Sequence, residues 1–170
     1  MSPQENPQTD CFFCRRMEDR APLQDVIIYE DNRFHVSHHL TDEGDESTPS
    51  YLGMVLIQTK RHVNDLAALT EAESSQLGKL IMRISRAIKA ATGAAWTYCY
   101  CFLEGYRHVH VFLAARYPGM PEEYIRLNLT DWPGAPSGSR KEVSELCHKL
   151  RSMVNYSPTK MDAEQNFLAK

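Results

Sequence analysis

From His108 to Leu113 the chain reads HVHVFL, and this alternation constrains the fold more than any other stretch. Successive strand residues point to opposite faces, so Val109 and Val111 belong to a core while His108, His110 and Phe112 share the other face. Packing alone gives little reason to set two imidazoles side by side. The readings that remain are a half-exposed pair on a solvated face, a metal ligand, a nucleophile, or one of each.

The elements around this strand follow from period and punctuation. VIIYE, the turn-like Asp31-Asn32 and RFHVSHH form a β-hairpin. GMVLIQTK is a short, nearly continuous apolar strand buried on both faces. Between them, LTDEGDESTPSY has no hydrophobic period and is a loop, with Asp42, Glu43, Asp45 and Glu46 a solvated charge run. Thr70 and Glu73 have capping-box spacing, and Leu77, Leu80, Ile81, Ile84 and Ile88 then form one helical stripe that stops at Gly93. WTYCYCFL and RHVHVFLA are strands joined through Glu104-Gly105-Tyr106, a link short enough for an antiparallel pair. The Pro/Gly/Trp-rich stretch from Tyr117 to Gly138 holds little periodic structure beyond a turn of helix at PEEY, with Trp132 as an anchor. SRKEVSELCHKLRSM is an amphipathic helix capped by Ser139. The expected class is α+β: a mainly antiparallel sheet with one long helix and a C-terminal helix. Residues 1–10 are expected to be a disordered lead-in, 11–138 the domain, 139–155 the C-terminal helix and 156–170 a flexible tail.

Composition narrows the function classes. A chain of 170 residues is long enough for one domain with a real core. A net charge of −3 leaves no basic surplus for a nucleic-acid surface. No apolar run approaches the roughly 20 residues that span a bilayer, and MSPQENPQTD lacks the basic and apolar regions of a secretory signal. The cytoplasm is the expected compartment, where the five cysteines stay reduced.

Cys11-Phe-Phe-Cys14 is a C-x-x-C, able to give two thiolates to a tetrahedral zinc with two histidines completing the set. It precedes RRMEDR and a hairpin rather than a βαβ unit, so metal is a better reading than redox chemistry. His35, His38, His39, His62, His108, His110 and His148 are all candidate partners, and spacing does not choose among them.

The order of a C-x-x-C, a buried strand ending TKRH, a helix opening LTEAE, and HVHVFLAARYPG resembles the histidine-triad (HIT) superfamily of nucleotide hydrolases and transferases. Its hallmark is His-φ-His-φ-His-φ-φ, where φ is hydrophobic. AARYPGMPEEY followed by DWPGAP is similar to a bacterial, zinc-containing branch, and the likeness spans residues 11 to about 136. In that register His108 is the first triad position, His110 the central one, and Phe112 stands at the third.

The resemblance implies a nucleotide hydrolase or nucleotidyl transferase in which neutral His110 attacks an α-phosphorus to give a nucleotidyl-histidine intermediate. It implies a structural zinc on Cys11, Cys14, His62 and His108, a pocket containing His38 and Phe112, and a homodimer. Phe112 can neither donate a proton nor hydrogen-bond a phosphate. A catalytically weak or inactive nucleotide-binding domain of the same fold is therefore the alternative. A purely structural zinc domain is disfavoured, because it has no use for His110.

Overall fold

The computed structural model describes residues 11–19 and 23–155; the terminal segments 1–10 and 156–170 lie outside the described residues. A short helix α1 (Phe12–Glu18) precedes the hairpin β1 (Ile27–Glu30) and β2 (Phe34–His38). There follow β3 (Ser50–Tyr51), β4 (Met54–Thr59), the long helix α2 (Glu71–Thr92), β5 (Trp96–Tyr100), β6 (His110–Arg116), β7 (Ser137–Gly138) and α3 (Arg140–Asn155). Five strands form one sheet in the order β1-β2-β4-β6-β5, every neighbouring pair antiparallel. The architecture is α+β with a mainly antiparallel sheet, as expected.

Cross-strand register sorts the sheet into two faces. Val36 pairs with Ile57, and Ile57 with Val111, so these three share a face. They belong to one core cluster with Leu77, Leu80, Ile84 and Ile88 of α2 and with Val143, Leu146 and Leu150 of α3. Fully burying each such aliphatic side chain contributes roughly 1.5–3 kcal/mol, which makes this face the principal source of stability. On the other face the rows read His35–Gln58–His110 and Ser37–Leu56–Phe112. That second face is polar and aromatic, and it is covered by α1 and by the loop after β2.

Both ends of α2 are closed by the residues expected. Thr70 and Glu73 form a full capping box, and Gly93 adopts φ 72° beyond the last turn. Arg61 donates to Glu73 at 3.0 and 2.7 Å, and this ion pair, with the Thr70 contacts, holds the Glu73 carboxyl down to about 2. A depressed carboxylate stabilises the fold above its unfolded range and loses that contribution as pH falls through its folded value. Wild type should thus lose stability relative to Glu73→Gln as urea midpoints are followed from pH 5 to pH 3, while equal slopes would contradict the coupling. Ser139 and Glu142 make a similar cap for α3: Ser139 N–H and its hydroxyl each donate to Glu142 Oε2 at 2.8 Å.

The structure departs from the sequence reading in four places. Residues 12–18 are helical, although a helix of 7 residues with no side-chain cap has little stability alone. Ser50–Tyr51, read as loop, pairs with Ser137–Gly138 in a second, two-stranded sheet. Strand β6 begins at His110, so His108 lies in its approach, and the segment linking β5 to β6 runs from residue 101 to 109. Cys99 alternates with aromatics in WTYCYCFL, a pattern that predicts packing, yet it is exposed on the edge strand. Among the described residues no helix is long and apolar enough to cross a membrane.

Candidate functional site

Two strand ends and α1 meet where β4 and β6 leave the sheet. Thr59 N–H donates to Val109 O at 3.1 Å and Val109 N–H to Val63 O at 2.6 Å, fixing the segment that carries His62 beside the one that carries His108. From the other side α1 brings Cys11 and Cys14. The ligand atoms of these four residues all lie within 4.8 Å of one another. His108 Nδ1 is 3.4 Å from Cys11 Sγ and 3.6 Å from Cys14 Sγ, and His62 Nδ1 is 3.4 Å from Cys14 Sγ. Sulfur and nitrogen ligands on a tetrahedral zinc are about 3.5 Å apart, given bonds of about 2.3 and 2.05 Å. The donor set and its spacing therefore suit a closed, four-ligand metal site.

The surroundings of His108 support this reading. Its Nε2–H donates to Thr59 O at 2.7 Å, which leaves Nδ1 as a lone pair facing the thiols. Thr59 also places its hydroxyl 3.2 Å from the same Nε2. Without a metal, burial and the neighbouring Cys11 push the Cys14 thiol up to about 12, so binding a cation there must release a proton.

His110 lines a cavity of about 370 Å³. Its Nδ1–H donates to His108 O at 2.7 Å, so the tautomer leaves Nε2 bare. Burial pushes the imidazole below its ordinary range and favours the neutral form. Phe13 of α1 lies over the ring with centroids 4.5 Å apart. Phe112 meets it edge-on at 5.6 Å, while stacking on Tyr100 at 5.5 Å. A neutral, oriented imidazole in a partly dry cavity is a competent nucleophile.

His38 does not line this cavity. Its position in β2 turns it to the opposite face, where it is fully buried and accepts Gly53 N–H on Nε2 at 3.1 Å while Nδ1–H donates to His39 O at 2.7 Å. Gly53 permits this with φ 79°, and a Cβ there would come 2.9 Å from Ala115 Cβ. The next residue, His39, occupies the cavity wall and meets Phe112 edge-on at 5.4 Å. Among the lining residues that escaped the sequence reading are Phe13, Arg16 and Glu43. Phe13 and Arg16 are three apart on α1 and so share a face, a signal visible only once residues 12–18 are known to be helical. His148 takes no part in the metal cluster, and His35 is buried in the sheet face beside Gln58.

No protein-family model matches the sequence, and no curated protein matches it by sequence. Comparison of folds is more informative. A Zn-bound histidine triad family protein from Mycobacterium smegmatis superposes with a TM-score of 0.61 at 19% identity, covering 92% of this chain and 99% of that one. The chain has a histidine-triad fold. A HIT-like protein from Bartonella henselae, described as involved in cell-cycle regulation, gives 0.60 at 18% identity over 85% of this chain and 97% of its own. A hypothetical histidine triad nucleotide-binding protein from Sulfolobus tokodaii gives 0.59 at 21% identity, with 85% and 91% covered. Identity this low shows the histidine-triad fold alone.

Proposed function

We propose that this protein is a nucleotide hydrolase or nucleotidyl transferase in which His110 is the nucleophile. The observation that carries the reading is the bare Nε2 of His110, oriented by the Nδ1–H bond to His108 O inside the cavity. In the first step Nε2 attacks the α-phosphorus, a P–N bond forms, and the bond to the leaving group breaks with its electron pair departing on that group. In the second step water or another acceptor hydroxyl attacks the phosphorus and gives its proton to solvent, the P–N bond breaks with its electron pair returning to Nε2, and His110 is neutral again. One difficult displacement becomes two easier ones. The test is nucleoside monophosphate release from a panel of dinucleoside polyphosphates and nucleoside phosphoramidates. Release by wild type with loss of at least about 1,000-fold in His110→Ala is expected, and equal rates would refute the role.

A structural zinc on Cys11, Cys14, His62 and His108 belongs to the same proposal. Its contribution is mechanical: it pins α1, and with it Phe13, above His110. The likeness to a Zn-bound protein of the same fold and the spacing of the four donors support it. A homodimer is proposed through the free edge of the sheet at β5, where Trp96 is 64% exposed. Sedimentation at the monomer mass would contradict that assembly.

Phe112 favours a second reading, nucleotide binding without turnover. It brings an aromatic edge to the position beside His110 where the resemblance leads one to expect a group able to hydrogen-bond. Nucleotide binding with no product and no covalent adduct would establish it in place of the first.

A further inference from the structure

Arg16 is an unusual residue to find in a small aromatic cavity. It is only 6% exposed, yet it lines the same cavity as His110. Its Nη1 donates to Ser37 Oγ and Gln58 Oε1 and its Nη2 to Ser37 Oγ, each at 3.3 Å. These two residues of the sheet hold the plane of the guanidinium. Its Nε donates to Glu43 Oε1 at 2.5 Å, and the Glu43 side chain is 31% exposed at the rim.

Burying a guanidinium is costly, and an apolar residue would fill the same volume without that cost. Ser37 and Gln58 take the Nη1 protons and one Nη2 proton, so the donors that can turn to a ligand are the Nε–H now on Glu43 and the second Nη2–H, beside a carboxylate acceptor. Phe12, Phe13, Tyr106 and Phe112 give the cavity flat aromatic walls, and Thr41 and Asp42 line it beside Glu43. Aromatic walls take a planar ring by stacking, whereas a donor–acceptor edge distinguishes one ring from another.

Guanine fits that edge best among the common bases. Its O6 and N7 are adjacent acceptors, the pattern a guanidinium meets with two parallel bonds. Its N1–H and N2–H are adjacent donors that match the two oxygens of one carboxylate. Adenine puts an amino group where guanine has O6 and has no second donor next to it, so it leaves part of the edge unpaired. We propose that the cavity binds the base of a guanine nucleotide, with Arg16 on the O6/N7 side and Glu43 on the N1–H/N2–H side. Glu43 gives up its contact with Arg16 Nε to do so, swinging on a loop whose next residue is Gly44. The proposal rests on the nucleotide reading above and names the base for it.

The test is equilibrium binding of GMP, IMP and AMP to the purified full chain, wild type and Glu43→Gln. Wild type is expected to bind GMP at least about tenfold more tightly than AMP, because a site built for hydrogen bonds rejects an analogue that leaves them unmade. IMP lacks only the 2-amino group and should fall between the two, a comparison that needs no variant. Glu43→Gln should weaken GMP by about tenfold and change AMP by less than about threefold. Equal affinities for GMP and AMP, or tighter AMP, would overturn the base assignment while leaving the nucleotide site intact. Failure of all three to bind would overturn both.

Discussion

Cys14→Ala is expected to melt roughly 10 °C below wild type and to bind nucleotide poorly as well. The argument begins with α1, which has 7 residues and no side-chain cap. Such a helix owes its place to what it docks on, and the docking runs through Cys11 and Cys14 to His62 and His108. With zinc there, metal affinity is also folding free energy. Losing about 3–5 kcal/mol of it lowers the melting point by roughly 2–4 °C per kcal/mol in a chain of this size. Because α1 also carries Phe13 and Arg16, its release opens the cavity above His110. Chelator should bring wild type down to the variant and leave the variant unmoved. That arm separates metal loss from the small cavity any truncation of a buried cysteine leaves. A wild type free of zinc and indifferent to chelator would remove the metal from the account.

Phe112→His is expected to raise kcat about 100-fold on nucleoside phosphoramidates, with a gain below about tenfold on dinucleoside polyphosphates. The physical reason lies in the leaving group. An amine departs badly as an anion and needs a proton, whereas a phosphate departs with its charge already stabilised. Phe112 lies beside His110, its ring edge-on at 5.6 Å, and carries no polar atom to supply that proton. A positioned general acid contributes about 10²–10⁴-fold, and the lower end allows for the lost stack on Tyr100. Equal or reduced rates on both substrate classes, in a variant that melts like wild type, would show that the third position is not where the proton is missing.

Long-range periodic features were the legible part of the fold. The hairpin, the strand at 54–59, and the long helix with its Thr70–Glu73 box and Gly93 stop all repeat a pattern over enough residues to be read. What was not legible depends on contacts far apart in the chain. Seven helical residues after Cys11 have no cap and too few turns to show a period. The two-residue strands Ser50–Tyr51 and Ser137–Gly138 carry no alternation, because each is defined only by the other. His38 and His39 are adjacent, so choosing which one reaches the cavity is a question of strand register, and a one-residue difference exchanges the faces. Glu43 looked like one of several solvated acids until Arg16 was placed against it. Spacing alone left seven histidines open as metal partners, and the four-residue set came from the family resemblance; the structure brings those four together.

The most direct test of the central claim is intact mass after incubation with labelled nucleoside phosphoramidates and dinucleoside polyphosphates followed by a rapid quench. A nucleotidyl adduct on wild type that is absent from His110→Ala would establish the bare Nε2 of His110 as the attacking atom. An adduct that persists in His110→Ala, or turnover by wild type with no adduct at any quench time, would contradict it.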